Sequence, residues 1–243
     1  MADAANRSTP WPLIGALCLM GAGLGVLAGR QWAYSAMGDR AAMEQVVHDY
    51  ILAHPEILPQ AVEKLHQQEA GQQLAALRPA LESPFPGAVI GNPAGRRVIV
   101  EFMDFACGYC RQSVADVDAL VAAHPDVKVV VRQLPILTPA SADAAKMALA
   151  AAEQGKYPAF HRAMFAAGRP DGQSIAAAAR AAGLDWPRAQ AYAATPGVAA
   201  EIARNQQMAQ QLGMNGTPSW VVGGQLLGGA LGREALENAL AAM

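Results

Sequence analysis

Residues Val98 to Met103 read Val-Ile-Val-Glu-Phe-Met, an apolar run rich in β-branched side chains, and Cys107-Gly108-Tyr109-Cys110 stands shortly after it. Such residues fit the pleated surface of a sheet, and a short unbroken apolar run is the pattern of a strand covered on both faces. Beyond the cysteines, Val114, Val117, Leu120 and Val121 recur at helical spacing. The cysteine pair is therefore expected at a strand-to-helix turn. A buried strand that feeds a helix belongs in a layered α/β fold, with neighbouring strands beside it and helices across its faces.

The chain downstream fits that frame. Val127 to Gln133 reads as a second strand ending at Leu134-Pro135, and an Ala-rich helical stretch follows over about 140–213. Ser219 to Val222 returns to strand, Gly223-Gly224 is a hairpin turn into Gln225-Leu226-Leu227, and a closing helix starts at Arg233. The fold class is α/β, a mixed sheet with helices on both faces.

A Cys-x-x-Cys pair at a helix start sets its first sulfur beside unpaired backbone N–H groups and the positive end of the helix dipole, which favours a thiolate. That thiolate can attack a substrate disulfide, and the second cysteine is close enough to resolve the mixed disulfide. Cys107 is accordingly assigned as nucleophile and Cys110 as resolving residue. Half of a zinc site is the rival reading, but the chain has three cysteines, no second Cys-x-x-Cys, and five histidines without metal-ligand spacing. No metal or cofactor is implied. The formal net charge of −2, from 18 basic and 20 acidic residues without a block of one sign, provides no electrostatic footprint for nucleic acid.

Upstream lie three further segments. Trp11 to Ala28 carries no charge and is flanked by Arg7 and Arg30. Its length is near the lower limit for spanning a bilayer, about 17 residues, and above the usual signal-peptide core, so residues 1–39 are expected to hold an uncleaved signal anchor and a short linker. Ala33, Ser35 and Ala36 leave a cleaved signal as the alternative, and Cys18 reads as a small apolar residue of the anchor helix. Over residues 40–82, Met43, Val46, Val47, Tyr50 and Ile51 share one helical face, and Ile57, Leu58, Val62 and Leu65 form a second stripe. Pro55 and Glu56 suit the first turn of that second helix. A segment this small cannot bury its stripe alone, so it is expected to be an oligomerisation element, with packing back on the main domain as the alternative. Residues 83–97, rich in proline and glycine, read as a linker into the domain 98–243.

VIVEFMDFACGYC resembles the active-site segment of the DsbA-like branch of the thioredoxin superfamily. With GNPAGRR before it and Gly216-Thr217-Pro218 after it, the segment resembles ScsC- and Com1-type members, and MEQVVHDYILAHPEIL, residues 43–58, is similar to the N-terminal helical region of ScsC-type proteins. The resemblance implies a thioredoxin fold with an inserted helical subdomain, preceded here by the membrane-anchor helix and the amphipathic segment. It implies that Thr217-Pro218 is a cis bond facing the dithiol and binding substrate as an added strand. Glu101, in mid-strand, resembles the buried acid that relays protons for the dithiol, and such a carboxyl should titrate high; a strand-edge charge reaching solvent is the alternative. Tyr109 is expected to be exposed and to touch substrate. Arg111 could help hold the thiolate or be solvated, and Met103, Met208 and Met214 are expected as core filler.

The function expected is that of a thiol–disulfide oxidoreductase, isomerase before oxidase, acting on cysteine-containing client proteins at the periplasmic side of the bacterial inner membrane. A membrane thiol electron-transfer partner would keep it reduced. Gly-Tyr stands between the cysteines where strongly oxidising members carry Pro-His, which argues against a pure oxidase. The alternative class is a copper-tolerance factor that holds Cu(I) on the same two thiolates, since soft sulfur suits Cu(I).

Overall fold

The computed structural model describes residues 40–243. The anchor expected over residues 11–28, with Cys18, lies outside the described residues. Among the described residues no helix is long and apolar enough to cross a membrane. The chain divides after Leu65 into two compact units.

The first unit contains helix α1, residues 40–53, and the start of α2 (Ile57–Glu82). Pro55 and Glu56 form the turn between them instead of the first turn of α2, and the Pro55 carbonyl accepts from the Leu58 N–H at 3.3 Å. Most of the apolar positions read from the sequence are uncovered: Met43, Val46, Val47 and Tyr50 on α1 and Leu58, Val62 and Leu65 on α2 are exposed, while Ile51 and Ile57 are half-buried.

The second unit, His66–Met243, is built on a five-stranded sheet. Its strands are β1 (Val89–Gly91), β2 (Arg97–Met103), β3 (Val127–Gln133), β4 (Ser219–Val222) and β5 (Gln225–Gly228), in the order β1-β3-β2-β4-β5. β2 and β3 run parallel and the other pairs antiparallel. The crossover between the parallel pair is α3 (Gly108–Ala123), so the chain leaves the centre of the sheet through the cysteine motif. The helical stretch is five helices: α4 (Pro139–Glu153), α5 (Tyr157–Ala166), α6 (Gly172–Ala181), α7 (Trp186–Ala193) and α8 (Pro196–Gln211), with α9 (Arg233–Ala241) closing the chain. Gly155 and Gly168 break it by taking left-handed φ angles of 68° and 95°, and Asp171 and Asp185 restart helices by accepting from the N–H groups of Ser174 and Arg188.

Two elements differ from the sequence reading. Residues 83–97, expected as a linker, contain β1, which pairs with the edge of β3 in the register Val89↔Val130. Three residues between proline-rich turns are too short to show a period, so their strand character comes from β3. The expected helical segment 40–82 is also not one unit, because its second half belongs to the sheet domain. Leu74, Leu77 and Leu81 lie on one face of α2, and Leu74 and Leu81 are buried against Val98, Val100 and Phe102.

The strand alternation sorts the core into two layers. Val98, Val100 and Phe102, with Val130 and Val221, pack under α2 and α8. Ile99 and Met103, with Val129, Val131 and Trp220, pack against α3, α9 and the inserted helices.

Arg132 in β3 points into the first layer. Its Nη1 donates to Glu201 Oε1 at 2.8 Å and to Asn205 Oδ1 at 3.3 Å, and its Nη2 donates to the carbonyls of Ala80, Leu81 and Ser83. The Ala80 and Leu81 carbonyls belong to the last turn of α2, where carbonyls lack partners inside the helix, and Ser83 follows it, so one guanidinium closes the helix and ties it to the sheet and α8. Arg132→Ala should destabilise the domain by about 3–5 kcal/mol in urea unfolding, because Glu201 is left buried without its main partner. Pairing it with Glu201→Leu should recover part of the loss, and an unchanged midpoint in the single variant would contradict this account.

Candidate functional site

The alternation of β2 places Glu101 between Ile99 and Met103 on the layer that holds Cys107 and Cys110. Glu101 is buried in the middle of the sheet, opposite Val131 on one side and Trp220 on the other. Burial raises its carboxyl to about 8 from an ordinary value near 4.5. The solvent-reaching alternative is therefore excluded by its position in a central strand.

After Met103 the chain turns through Asp104, which is buried and bonded throughout. Its Oδ1 accepts from the Ala106 N–H at 2.8 Å, its Oδ2 from the Ile136 and Leu137 N–H groups at 2.9 Å each, and its carbonyl from the Cys107 N–H at 3.0 Å. The turn that carries the dithiol is thus fastened to the segment following β3. Sequence reasoning missed Asp104, because the donors that fasten it across the fold, the Ile136 and Leu137 N–H groups, come from more than 30 positions away.

Cys107 is the N-cap of α3, in extended conformation, and its Sγ accepts from the Cys110 N–H at 3.4 Å. The same sulfur donates to the Thr217 carbonyl at 3.1 Å. The Thr217–Pro218 peptide bond is cis. Cys107 and Cys110 are both free thiols, and burial, followed by the nearby Glu101 charge, pushes the Cys110 thiol well up. Cys107, Cys110, Glu101, Thr217 and Pro218, spread over more than a hundred positions, thus converge on one place.

Tyr109 is 63% exposed and helps line a groove of about 450 Å³ with Met214, Thr217, Pro218, Leu226 and Leu227. Arg111 turns away from the sulfurs and donates to the Gly168 carbonyl at 2.8 Å, bracing α3 against the inserted helices. Met103 and Met208 are buried, as core filler should be, while Met214 is only half-buried, in the groove wall.

Two groups behind the site were also not singled out from sequence as functional. Tyr157 donates nothing to Glu101 but accepts from Gln133 Nε2 at 2.8 Å, and burial with the Glu101 charge pushes its phenol up. His161 is enclosed by the rings of Phe105, Tyr157 and Phe165, neither ring nitrogen has a partner, and burial lowers it to about 4.

A family model described as the DSBA-like thioredoxin domain matches residues 98–241, and one described as the copper resistance protein ScsC N-terminal domain matches residues 39–72. The chain belongs to the DSBA-like thioredoxin domain family. That family is one of thiol–disulfide oxidoreductases. The DSBA-like chain is 44% identical to a thioredoxin-like oxidoreductase from Silicibacter pomeroyi, whose structure superimposes with a TM-score of 0.61 over 63% of this chain and 89% of that one. The catalytic domain of Proteus mirabilis ScsC is 25% identical with a TM-score of 0.64, covering 70% of this chain and 96% of that one. A periplasmic thioredoxin-like protein from Salmonella enterica serovar Typhimurium is 26% identical with a TM-score of 0.60, over 68% and 94%. The chain spans about a quarter of the length of the curated relatives it matches. Among these is the Na(+)/H(+) antiporter NhaA 3 from Salinispora tropica, 33% identical over 147 residues that make up 58% of this chain and 22% of the antiporter.

The titrations of Glu101 and His161 predict a stability profile for the DSBA-like domain. Glu101 keeps its proton in the folded state up to about 8 and loses it near 4.5 when unfolded, so its effect is a loss of stability as pH rises from about 4.5 to 8. His161 is neutral when folded down to about 4 and protonates near 6.5 when unfolded, so stability falls as pH drops from about 6.5 to 4. The two slopes oppose each other between 4.5 and 6.5. Glu101→Gln should remove the decline between pH 6.5 and 8, gaining roughly 2–4 kcal/mol at pH 8.5 in chemical denaturation. A variant whose profile parallels the wild type across that range would contradict a buried protonated Glu101.

Proposed function

We propose that the protein exchanges disulfides in client proteins through Cys107 and Cys110, with isomerisation before net oxidation. The observation that carries this is the contact of Cys107 Sγ, at the start of α3, with the Thr217 carbonyl beside Pro218. A client sulfur bound along residues 217–218 would meet the nucleophile directly.

Cys107, as thiolate, attacks one sulfur of a client disulfide. The S–S bond breaks, the released client thiolate takes up a proton, and a mixed disulfide joins Cys107 to the client. In isomerisation, another client thiolate attacks the mixed disulfide, forms a new client disulfide and releases Cys107 as thiolate, with no net electron transfer. In the reductive branch, the ionised fraction of Glu101 takes the Cys110 proton and Cys110 attacks Cys107 Sγ; the Cys107–client S–S bond breaks as the Cys107–Cys110 bond forms, the leaving client thiolate takes a proton from solvent, and the client is released with two thiols. Glu101 suits this task because its proton affinity, with a pKa of about 8, lies near working pH. The oxidised pair then needs an electron donor, for which a membrane thiol protein is the candidate partner.

Gly108-Tyr109 between the cysteines, in place of Pro-His, supports a poise short of strong oxidation. The uncharged stretch 11–28 supports attachment to the membrane, and the periplasm is where client disulfides persist. Cys107→Ser should abolish insulin reduction and the reactivation of scrambled ribonuclease. Cys110→Ser should accumulate mixed disulfides that release client on adding dithiothreitol. Retained turnover in Cys107→Ser would refute the assignment.

The uncovered face of α1 and early α2 supports a homo-oligomer formed through residues 40–65, which would set several dithiols around one client. An exposed cluster running from Met43 to Leu65 is a liability unless another surface covers it. Sedimentation of the chain from Arg40 onward should give a multimer, and Val47→Lys with Tyr50→Lys should give a monomer. A monomeric wild type would defeat this proposal.

A further inference from the structure

Glu101 lies in a layer that offers its carboxylate no cation. Arg132 is the only buried lysine or arginine among the described residues, and it points into the opposite layer, toward Glu201 and the end of α2. Asp104, the next buried carboxyl along the chain, is spent on the N–H groups of Ala106, Ile136 and Leu137. The titratable groups on the Glu101 side are Cys107 and Cys110 of the α3 turn and Tyr157 and His161 of α5. Asp118 and Arg162 face His161 and are paired with each other. An ionised Glu101 therefore needs a dipole, because a bare carboxylate in an apolar layer is costly to form.

Most buried side-chain donors are already committed. Ser113 donates to the Tyr109 carbonyl, Ser219 to the Gly216 carbonyl and Asn205 to the Gln133 carbonyl. Tyr157 is different: its oxygen accepts from Gln133 Nε2 at 2.8 Å, and its own proton has no acceptor among the described residues. His161 is also unpartnered, but the charges it feels are those of Asp118 and Arg162. The sheet brings Tyr157 to Glu101. Glu101 stands opposite Val131 and Met103 opposite Gln133, so Glu101 and Gln133 share one face of the parallel pair, two residues apart along the strands. Tyr157, at the start of α5, is fully buried over that face. The charge of Glu101 raises both the Cys110 thiol and the Tyr157 phenol, so the carboxyl has both as neighbours.

We propose that Tyr157 is a positioning residue for the proton transfer: Gln133 holds its oxygen, and its hydroxyl proton turns to the Glu101 carboxylate as that group ionises, keeping Glu101 available as base for Cys110. A hydrogen bond given to the charged form makes that form easier to reach, and donation by Gln133 into the phenol oxygen strengthens its O–H as a donor. Tyr157 keeps its own proton throughout. The transferred proton goes from Cys110 Sγ to Glu101; Cys110 Sγ then bonds to Cys107 Sγ, the bond from Cys107 to the client sulfur breaks, and that sulfur leaves as a thiolate protonated by solvent. The cysteine pair is oxidised and the client disulfide reduced by the same two electrons. The proposal rests on the reading of Cys107–Cys110 as the exchanging dithiol and Glu101 as its base.

Reaction with dithiobis(nitrobenzoate) separates the two steps, because Cys107 releases one coloured thiolate on forming the mixed disulfide and Cys110 releases a second on resolving it. In the wild type the second phase should accelerate with pH around a midpoint of about 8, where Glu101 ionises. Tyr157→Phe, which keeps the ring, should raise that midpoint by about one unit and slow the second phase about tenfold at pH 7. By about pH 10 the two proteins should coincide, since Glu101 is then ionised in both. Gln133→Met should move the midpoint the same way by less. The first phase should be unchanged in both variants, which also reports an intact dithiol turn. Superimposable second-phase profiles, or a slowing in Tyr157→Phe that is equal at every pH, would refute the role of Tyr157 while the dithiol assignment stands. If Tyr157→Phe loses the first phase as well, Gln133→Met decides, an unshifted midpoint overturning the proposal. A wild-type second phase flat through pH 8 removes Glu101 as base and the proposal with it. A wild type that releases one equivalent or none overturns the dithiol assignment itself.

Discussion

Strand β2 is hydrogen-bonded along both edges and covered on both faces, and this double burial governs the site at its end. A strand held on four sides cannot shift register without turning its whole apolar set the wrong way. Glu101 is therefore committed to the layer beneath Cys110, and Val100 and Phe102 to the layer beneath α2. Once there, the carboxyl has no solvent to ionise into, and burial raises its proton affinity into the range in which a thiol can be served. The acid's chemical character is a consequence of where the sheet puts it.

The loops around the dithiol are held by polar groups as well as by the packing of Phe105 against Phe160 and Phe165. Asp104 ties the cysteine turn to the segment after β3, and Arg132 ties the end of α2 to β3 and α8. Each is a charged side chain with several backbone partners, which is the arrangement that makes burial of a charge tolerable. They serve different ends: Asp104 positions the dithiol turn and the segment after β3, and Arg132 holds the end of α2 over the layer of Val100 and Phe102. The groove itself is built from what remains, half-buried leucines and methionine with backbone edges.

The helices before the sheet domain obey a different economy of burial. From Leu74 onward α2 has found a sheet to cover, and its leucines are buried. Before Leu65 the same kind of apolar face is open along α1 and the start of α2. One continuous helix thus carries a satisfied end and an unsatisfied one, which is why a single boundary at residue 82 does not describe it.

The strands β2, β3 and β4, the closing helix and the place of the cysteine pair were legible in the sequence, because periodicity and β-branched composition are local properties that burial must respect. The CGYC pair, Thr217-Pro218 and Glu101 were legible as candidates, the first from spacing and the others through family resemblance. β1 was hidden because a three-residue strand has no period of its own, and the five helices of the insertion were hidden because alanine-rich sequence gives little amphipathic contrast. Asp104, Arg132, Tyr157 and His161 were illegible for a further reason: their roles are defined by partners remote in sequence. The sequence by itself determined which residues could do thiol chemistry and which segments must be buried, since both follow from side-chain type and local spacing. Only the tertiary structure decided which carboxyl lies beneath the dithiol, which carbonyl meets Cys107 and which residues line the groove beside Pro218, because those depend on register and on loops fastened across more than a hundred residues.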